Sequence, residues 1–243
     1  MLSLLKKEIS AFLSSLSGYI VIGVFLVITG LLMWVLPLES NILDGDYAGI
    51  DSMFVLAPWV FLFLIPAVTM RSFAEEKKTG TIELLLTHPL SDFEIVFAKY
   101  LACLLLAVLA LLPTLVYYIS VYKLGYPPGN IDNGRTWGSY LGLIFLAGGF
   151  ASIGVFASSV SNNQIISFIL AVALCYVCYA GFGYMGAFLS SGAAGNMVQM
   201  LGISAHYSSM SRGVIDTRDV IYFISLSFLF LMMSRTALES RKW

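Results

Sequence analysis

The sequence predicts an all-α integral membrane protein with six transmembrane helices and both termini on the cytoplasmic side. Three observations carry that expectation. Hydrophobic residues make up 59% of the 243-residue chain and charged residues only 11%, with a mean hydropathy of +0.89. A soluble domain is about 25% charged, and a fold of this size could not cover its surface with so few charges. The charges are also gathered so that they leave long gaps, and the Lys and Arg residues divide unevenly between alternate connecting segments. A net charge of −1 with no basic patch argues against a nucleic-acid partner. Three cysteines do not make a secreted disulfide framework.

The gaps place the spans in order, each helix needing roughly 20 apolar residues. Between Glu8 and Glu39 lie 30 uncharged residues, and between Asp51 and Arg71 lie 19, with Pro58 and Pro66 among them. Between Lys99 and Lys123 lie 23. From Thr136 to Ser211 no Asp, Glu, Lys or Arg occurs over 76 residues, which is room for two spans split at the polar turn Ser161-Asn162-Asn163-Gln164. The last gap, Asp219 to Arg235, holds 15 residues, and Arg235 can snorkel to let the helix run on. The expected spans are 18–38, 53–72, 97–121, 137–160, 164–189 and 219–238 of a single membrane domain over 1–243. Lys6, Lys7, Arg71, Lys77, Lys78, Lys99, Arg235, Arg241 and Lys242 fall on one side, against Lys123, Arg135, Arg212 and Arg218 on the other. The nine belong inside.

The apolar run after Lys6 and Lys7 is too long for the core of a signal peptide and has no small-residue cleavage pattern, so the first span reads as uncleaved. Before it, Leu2, Leu5, Ile9, Phe12 or Leu13, and Leu16 recur at helical spacing, with Lys6, Lys7, Ser10, Ser14 and Ser17 largely opposite. Residues 1–17 therefore predict an amphipathic helix in the membrane interface, or a helical extension of the first span.

The most charge-dense stretch, Arg71-Ser-Phe-Ala-Glu-Glu-Lys-Lys-Thr-Gly-Thr-Ile-Glu-Leu-Leu-Leu-Thr-His-Pro89, stands between spans two and three. Ser72 and Glu75 are spaced as a capping box, which stays idle if span two runs on. Gly80 can end a helix in the left-handed conformation. Thr81 can cap a new one, with Glu83 in its first turn. Ile82, Leu85 and Leu86 share a face, and Pro89 discourages helix at His88. Ser91 and Glu94 form a second capping box, with Leu90 and Ile95 spaced as a hydrophobic staple. A helix over 82–87 is too short to stand alone in water. It needs the interface or the groove of a partner to hold it, or else the stretch is a solvated amphipathic loop.

Glu76-Lys-Lys-Thr-Gly80-Thr81-Ile-Glu83-Leu84-Leu85-Leu-Thr-His-Pro89, with Lys99 at the mouth of span three, resembles the permease subunits of type 2 ABC transporters. The turn Ser158-Ser-Val-Ser-Asn-Asn-Gln164-Ile and the stretch His206-Tyr-Ser-Ser-Met-Ser-Arg212-Gly213-Val-Ile-Asp216 resemble the same family, in the same order. Within it, the compact size and the third stretch look most like the gliding-motility-associated permeases, and copper-processing permeases look similar. The resemblance implies that segment 73–90 is a coupling helix docking in a groove of a separate cytoplasmic ATP-binding subunit. It implies roles there for Glu76, Gly80, Thr81, Glu83, Leu84, Leu85 and Pro89. Gly80 would set the chain reversal, Glu83 would present a charge, and Leu84 and Leu85 would anchor. His88 falls outside the motif. It also implies a second permease subunit, the same or different, a bacterial cytoplasmic membrane, and short re-entrant helices within 190–218. Gly192, Gly195 and Gly202 with Met197, Met200 and Leu201 permit re-entrance, against an ordinary extracellular loop.

No Gly-Lys pair occurs, so the chain has no phosphate-binding loop of the G-x-x-x-x-G-K-[ST] kind. No cofactor is expected, and any ATPase is another polypeptide. Cys175 and Cys178 have the spacing for a soft metal on one helix face, but no third ligand is near and buried cysteine is ordinary packing. Gly181, Gly183 and Gly186, like Gly148, Gly149 and Gly154, read as small residues for close helix approach. No span carries an Asp, Glu, Lys, Arg or His in its middle, which disfavours intramembrane catalysis and ion coupling. The expectation is a permease subunit without enzyme activity of its own, of exporter type, linked to gliding motility or secretion. Its rivals are a non-transporting membrane anchor, a copper-processing permease and a passive channel.

Overall fold

The computed structural model describes residues 1–38, 40–44, 48–83, 91–189 and 192–240, with only the backbone of Ser17 and Ala193. Among the described residues every regular element is helical. Among the same residues, six helices are long and apolar enough to cross a membrane.

α1 (Leu2–Leu13) is separate from α2 (Leu16–Gly30). Ser15 takes an extended conformation between them, and its hydroxyl caps the Gly18 amide at 3.2 Å. α1 is thus no extension of span one. Leu4 on its inner side is buried, and α1 packs on the helix of span three. Leu2 remains exposed, while Leu5, Ile9 and Leu13 are half-buried along a shallow groove. α2 continues through a π-turn, Leu31–Val35.

Span two is α3 (Asp51–Thr69), which holds Pro58 and Pro66. The chain then turns and resumes as α4 (Ala74–Thr79). The Ser72–Glu75 capping box does not form, because Phe73 takes the N-cap position and lends no side chain. Gly80 closes α4 at φ +73°, and its amide donates to the Lys77 carbonyl. Ile82 and Glu83 are again helical. The rest of the expected short helix, and Leu90 of the expected staple, lie outside the described residues.

Span three starts at α5 (Asp92–Leu111) with its capping box complete. The Ser91 amide donates to Glu94 Oε2 at 2.9 Å and the Glu94 amide to Ser91 Oγ at 3.3 Å. Pro113 introduces a 3₁₀ turn, Leu112–Thr114, before α6 (Leu115–Leu124). Span four is α7 (Asn133–Val160), and span five is α8 (Gln164–Tyr176) followed by a π-turn and α9 (Phe182–Phe188). Two short helices, α10 (Ala193–Gln199) and α11 (Ile203–Met210), precede span six, α12 (Thr217–Glu239). α12 runs past Arg235, whose Nε pairs with Glu239 Oε1 at 2.7 Å.

α7 is the centre of the bundle. It packs on α3, α5, α8, α11 and α12, and 78% of its most apolar window is buried, against 22% for α2 and for span five. Small residues let the neighbours approach: a Cβ on Gly154 would fall 2.1 Å from Thr69 Oγ1 of α3. The peripheral helices keep outward faces of Ile20, Val24, Val27, Ile221, Ile224 and Phe228, and such faces suit lipid rather than water. The first turn of α5 and the last of α12 share a cavity wall through Ser91, Asp92, Arg235 and Glu239. With α1 packed on α5, α1 and the last turn of α12 lie at the same end of the bundle as α4.

The opposite end is tied by its own polar contacts. Asp51 and Arg135 meet at 3.0 Å. The His206 ring lies between Asp219 Oδ1, 2.7 Å from Nδ1, and the Met200 carbonyl, 2.9 Å from Nε2. It stacks on Tyr222 with centroids 3.9 Å apart. Tyr207 donates to the Phe54 carbonyl at 2.6 Å, and burial pushes its phenol well above the ordinary value, so it stays a neutral donor.

Candidate functional site

Polar chemistry converges at the base of α4. Lys99 lies two turns into α5, near the start of span three, and is among the largest fully buried side chains, at 1% exposed. Its ammonium donates to Glu8 Oε1 at 2.9 Å and to the Ser72 carbonyl at 2.6 Å. It also pairs with Glu76 Oε1 at 3.0 Å and sits 5.0 Å from the centroid of the Phe73 ring. An ammonium has three protons to give, and three oxygens receive them. Burying an ammonium is costly unless it is paired and hydrogen-bonded, and here α1, the α3–α4 turn and α4 each bring one acceptor.

Each side chain is where its helix puts it. Glu8 follows Leu4 by one helical turn and precedes Phe12 by another, so it shares the inner face of α1. Glu76 lies on the side of α4 turned towards the bundle and is 14% exposed. Lys7 Nζ is 3.9 Å from the same Glu76 oxygen but two-thirds exposed, so it contributes little. Glu76 Oε2 is buried with no hydrogen-bond partner among the described residues. Beside the cluster is a cavity of about 380 Å³ between α1 and spans two and three, whose walls include Phe12, Arg71, Glu75 and Leu106.

The structure divides the residues taken from the family resemblance. Glu76 points inward and holds Lys99. Gly80, Thr81 and Glu83 are exposed at the far end of α4. Thr81 Oγ1 lies 2.9 Å from Thr79 Oγ1 and donates to the Glu76 carbonyl at 3.5 Å. Leu84, Leu85 and Pro89, and the His88 set outside the motif, lie outside the described residues. Ile82 packs partly against the core. Sequence reasoning missed Glu8, although an acid in the apolar stripe Leu4–Glu8–Phe12 is a readable signal.

Six apolar helices among the described residues, one of them central, with a charged segment rooted in a buried ion cluster, make a polytopic membrane protein. A family model described as "ABC-2 family transporter protein" matches residues 2–232. The chain belongs to the ABC-2 family of transporter proteins, a membrane transport component rather than an enzyme, in a family that normally works with a cytoplasmic ATP-binding subunit. No curated protein matches the chain.

Proposed function

We propose that this chain is the permease subunit of an exporter-type complex in a bacterial cytoplasmic membrane, driven by ATP hydrolysis in a separate cytoplasmic subunit. Both termini and the segment 73–90 face the cytoplasm in this reading. Gly80, Thr81, Glu83, Leu84, Leu85 and Pro89 form or shape the part that docks to the ATPase. A second permease subunit, identical or different, completes the membrane half, and the system serves gliding motility or secretion.

The observation that carries the reading is the Glu8–Lys99–Glu76 cluster. A solvated loop has no need of a root tied to two other helices. A segment that receives a push does, because a push on the exposed tip at Gly80 to Glu83 then moves α1, α3 and α5 together. The positive-inside distribution of Lys and Arg supports the orientation.

The test is purification of the tagged full-length chain from native membranes in mild detergent, comparing wild type with Gly80→Pro and Glu83→Arg. The reading expects an ATP-binding subunit with wild type, and its loss or an altered ATP turnover in the variants. Equal binding and unchanged turnover in both variants, or no ATPase with wild type, would favour a non-transporting membrane anchor.

A further inference from the structure

The turn between spans four and five also resembles the permeases, and the coupling reading gives it no task. Ser158 lies in the last turn of α7 and is fully buried. Its Oγ accepts from the backbone N–H groups of Phe73 at 2.9 Å and Ala74 at 3.1 Å, and its proton goes to the Met70 carbonyl at 3.1 Å. All three backbone groups belong to the break between α3 and α4. Helix ends leave N–H and C=O groups without partners inside the helix, and buried ones must find partners elsewhere. A serine hydroxyl has one proton and two acceptor positions, so this one is used to capacity. The local candidate is not used, since Ser72 Oγ lies 3.6 Å from Cys103 Sγ.

Neighbouring contacts reinforce the joint. Lys77 Nζ donates to the Ser159 carbonyl, at the helix end where the dipole favours a cation. One turn earlier, α7 and α3 touch at Gly154 and Thr69. Beyond the joint, Ser161 Oγ donates to the Asn163 carbonyl at 2.9 Å, and Asn163 Oδ1 caps the Ile165 amide at 2.9 Å. The turn is a braced corner.

We infer that Ser158 is a positioning residue for coupling: its hydroxyl holds the root of the charged segment on the end of α7, so that a displacement of α4 is delivered to the central helix. This rests on the coupling reading above. α7 adjoins five other helices, so a movement delivered there reaches most of the bundle. Displacement at Lys99 reaches α1 and α5, which makes the two joints separate outlets of one input.

The experiment uses the full-length chain in native membranes with whatever ATPase co-purifies. Ser158→Ala is compared with Ser158→Thr, which keeps a hydroxyl, and with Ser159→Ala, whose hydroxyl bonds within α7 to the Phe156 carbonyl. The readouts are bound ATPase, ATP turnover, and hydrogen exchange at the Phe73 and Ala74 amides. In Ser158→Ala, bound ATPase stays at the wild-type amount, exchange rises about tenfold and turnover falls about tenfold, the scale of one hydrogen bond. Ser158→Thr and Ser159→Ala stay near wild type. If Ser158→Ala does not accumulate, the same changes are read from Ser158→Cys, whose thiol is a weaker partner. Faster exchange with unchanged turnover makes Ser158 a structural cap only and overturns the inference, as does unchanged exchange. If wild type carries no ATPase, the coupling reading fails and this inference with it. The exchange data then still report on the cap by themselves.

Discussion

Lys99 Nζ and Glu8 Oε1 stand 2.9 Å apart although 91 residues separate them in the chain. The contact joins the N-terminal helix to the third span where the charged segment begins. Replacing Lys99 by Met removes the cation and leaves two carboxylates facing each other near the core. The expected loss of stability is about 3–5 kcal/mol, the scale for breaking a buried pair from one side. Thermal unfolding of the purified chain in detergent measures it. The triple variant Lys99→Met, Glu8→Gln, Glu76→Gln is expected to recover part of the loss, since the repulsion goes with the charges.

Glu8 and Glu76 are not equivalent partners. The Glu8 side chain is 22% exposed and that of Glu76 14%, and Glu76 also starts the segment that leads to Gly80. Glu8→Gln is therefore expected to be the milder change, while both variants lose coupling to Lys99 in a double-mutant cycle. A cycle energy of zero for Glu8 and Lys99 would mean that α1 is held by its apolar contacts alone.

Gly80 is a test of backbone conformation without a packing effect. Its φ is +73°, and a Cβ built there meets nothing within 4 Å. Gly80→Ala should cost about 1 kcal/mol from the left-handed conformation, and Gly80→Asn less, because asparagine tolerates that region. If both variants unfold like wild type yet differ in ATP turnover, the direction of the chain after α4 governs coupling.

Gly154 tests close approach of helices. A Cβ there would fall 2.1 Å from Thr69 Oγ1 and 2.8 Å from Thr69 Cβ. Gly154→Ala should destabilise by about 1–3 kcal/mol, the overpacking range. Thr69→Ala in the same chain should return only part of it, since the Cβ of residue 69 remains. Full recovery would show that α3 and α7 can separate at no cost.

At the other end of the bundle, His206→Ala should destabilise more than Asp219→Asn. Asp219 is 6% exposed and one of its carboxylate oxygens has no hydrogen-bond partner among the described residues, so removing the imidazole strands a buried charge. Asparagine keeps an oxygen for the ring and carries no charge. The ranking of the two melting temperatures decides the point.

The long-range organisation was legible where one chemical signal dominates. Uncharged gaps marked the six spans because lipid excludes charge over the whole width of a helix. The capping box at Ser91 and Glu94 and the left-handed stop at Gly80 were legible because both are made by residues a few positions apart. Ser72 and Glu75 show the limit of such reading. Their spacing is that of a capping box, yet Phe73 takes the cap position and Ser158, from the far side of the chain, receives the amides.

Composition and charge order by themselves determined that this chain is a six-span helical membrane protein with one charged segment between spans two and three. Those properties depend on solvent preference and on contacts within a few residues. Only the tertiary structure decided that Lys99 is buried, that Glu8 and Glu76 share it, and that Glu76 turns inward while Gly80, Thr81 and Glu83 stay exposed. Each of these is a choice among several partners of similar chemistry. The choice was made by which helices pack on α5 and α7, because an ammonium in the core takes whatever acceptors the packing brings within reach.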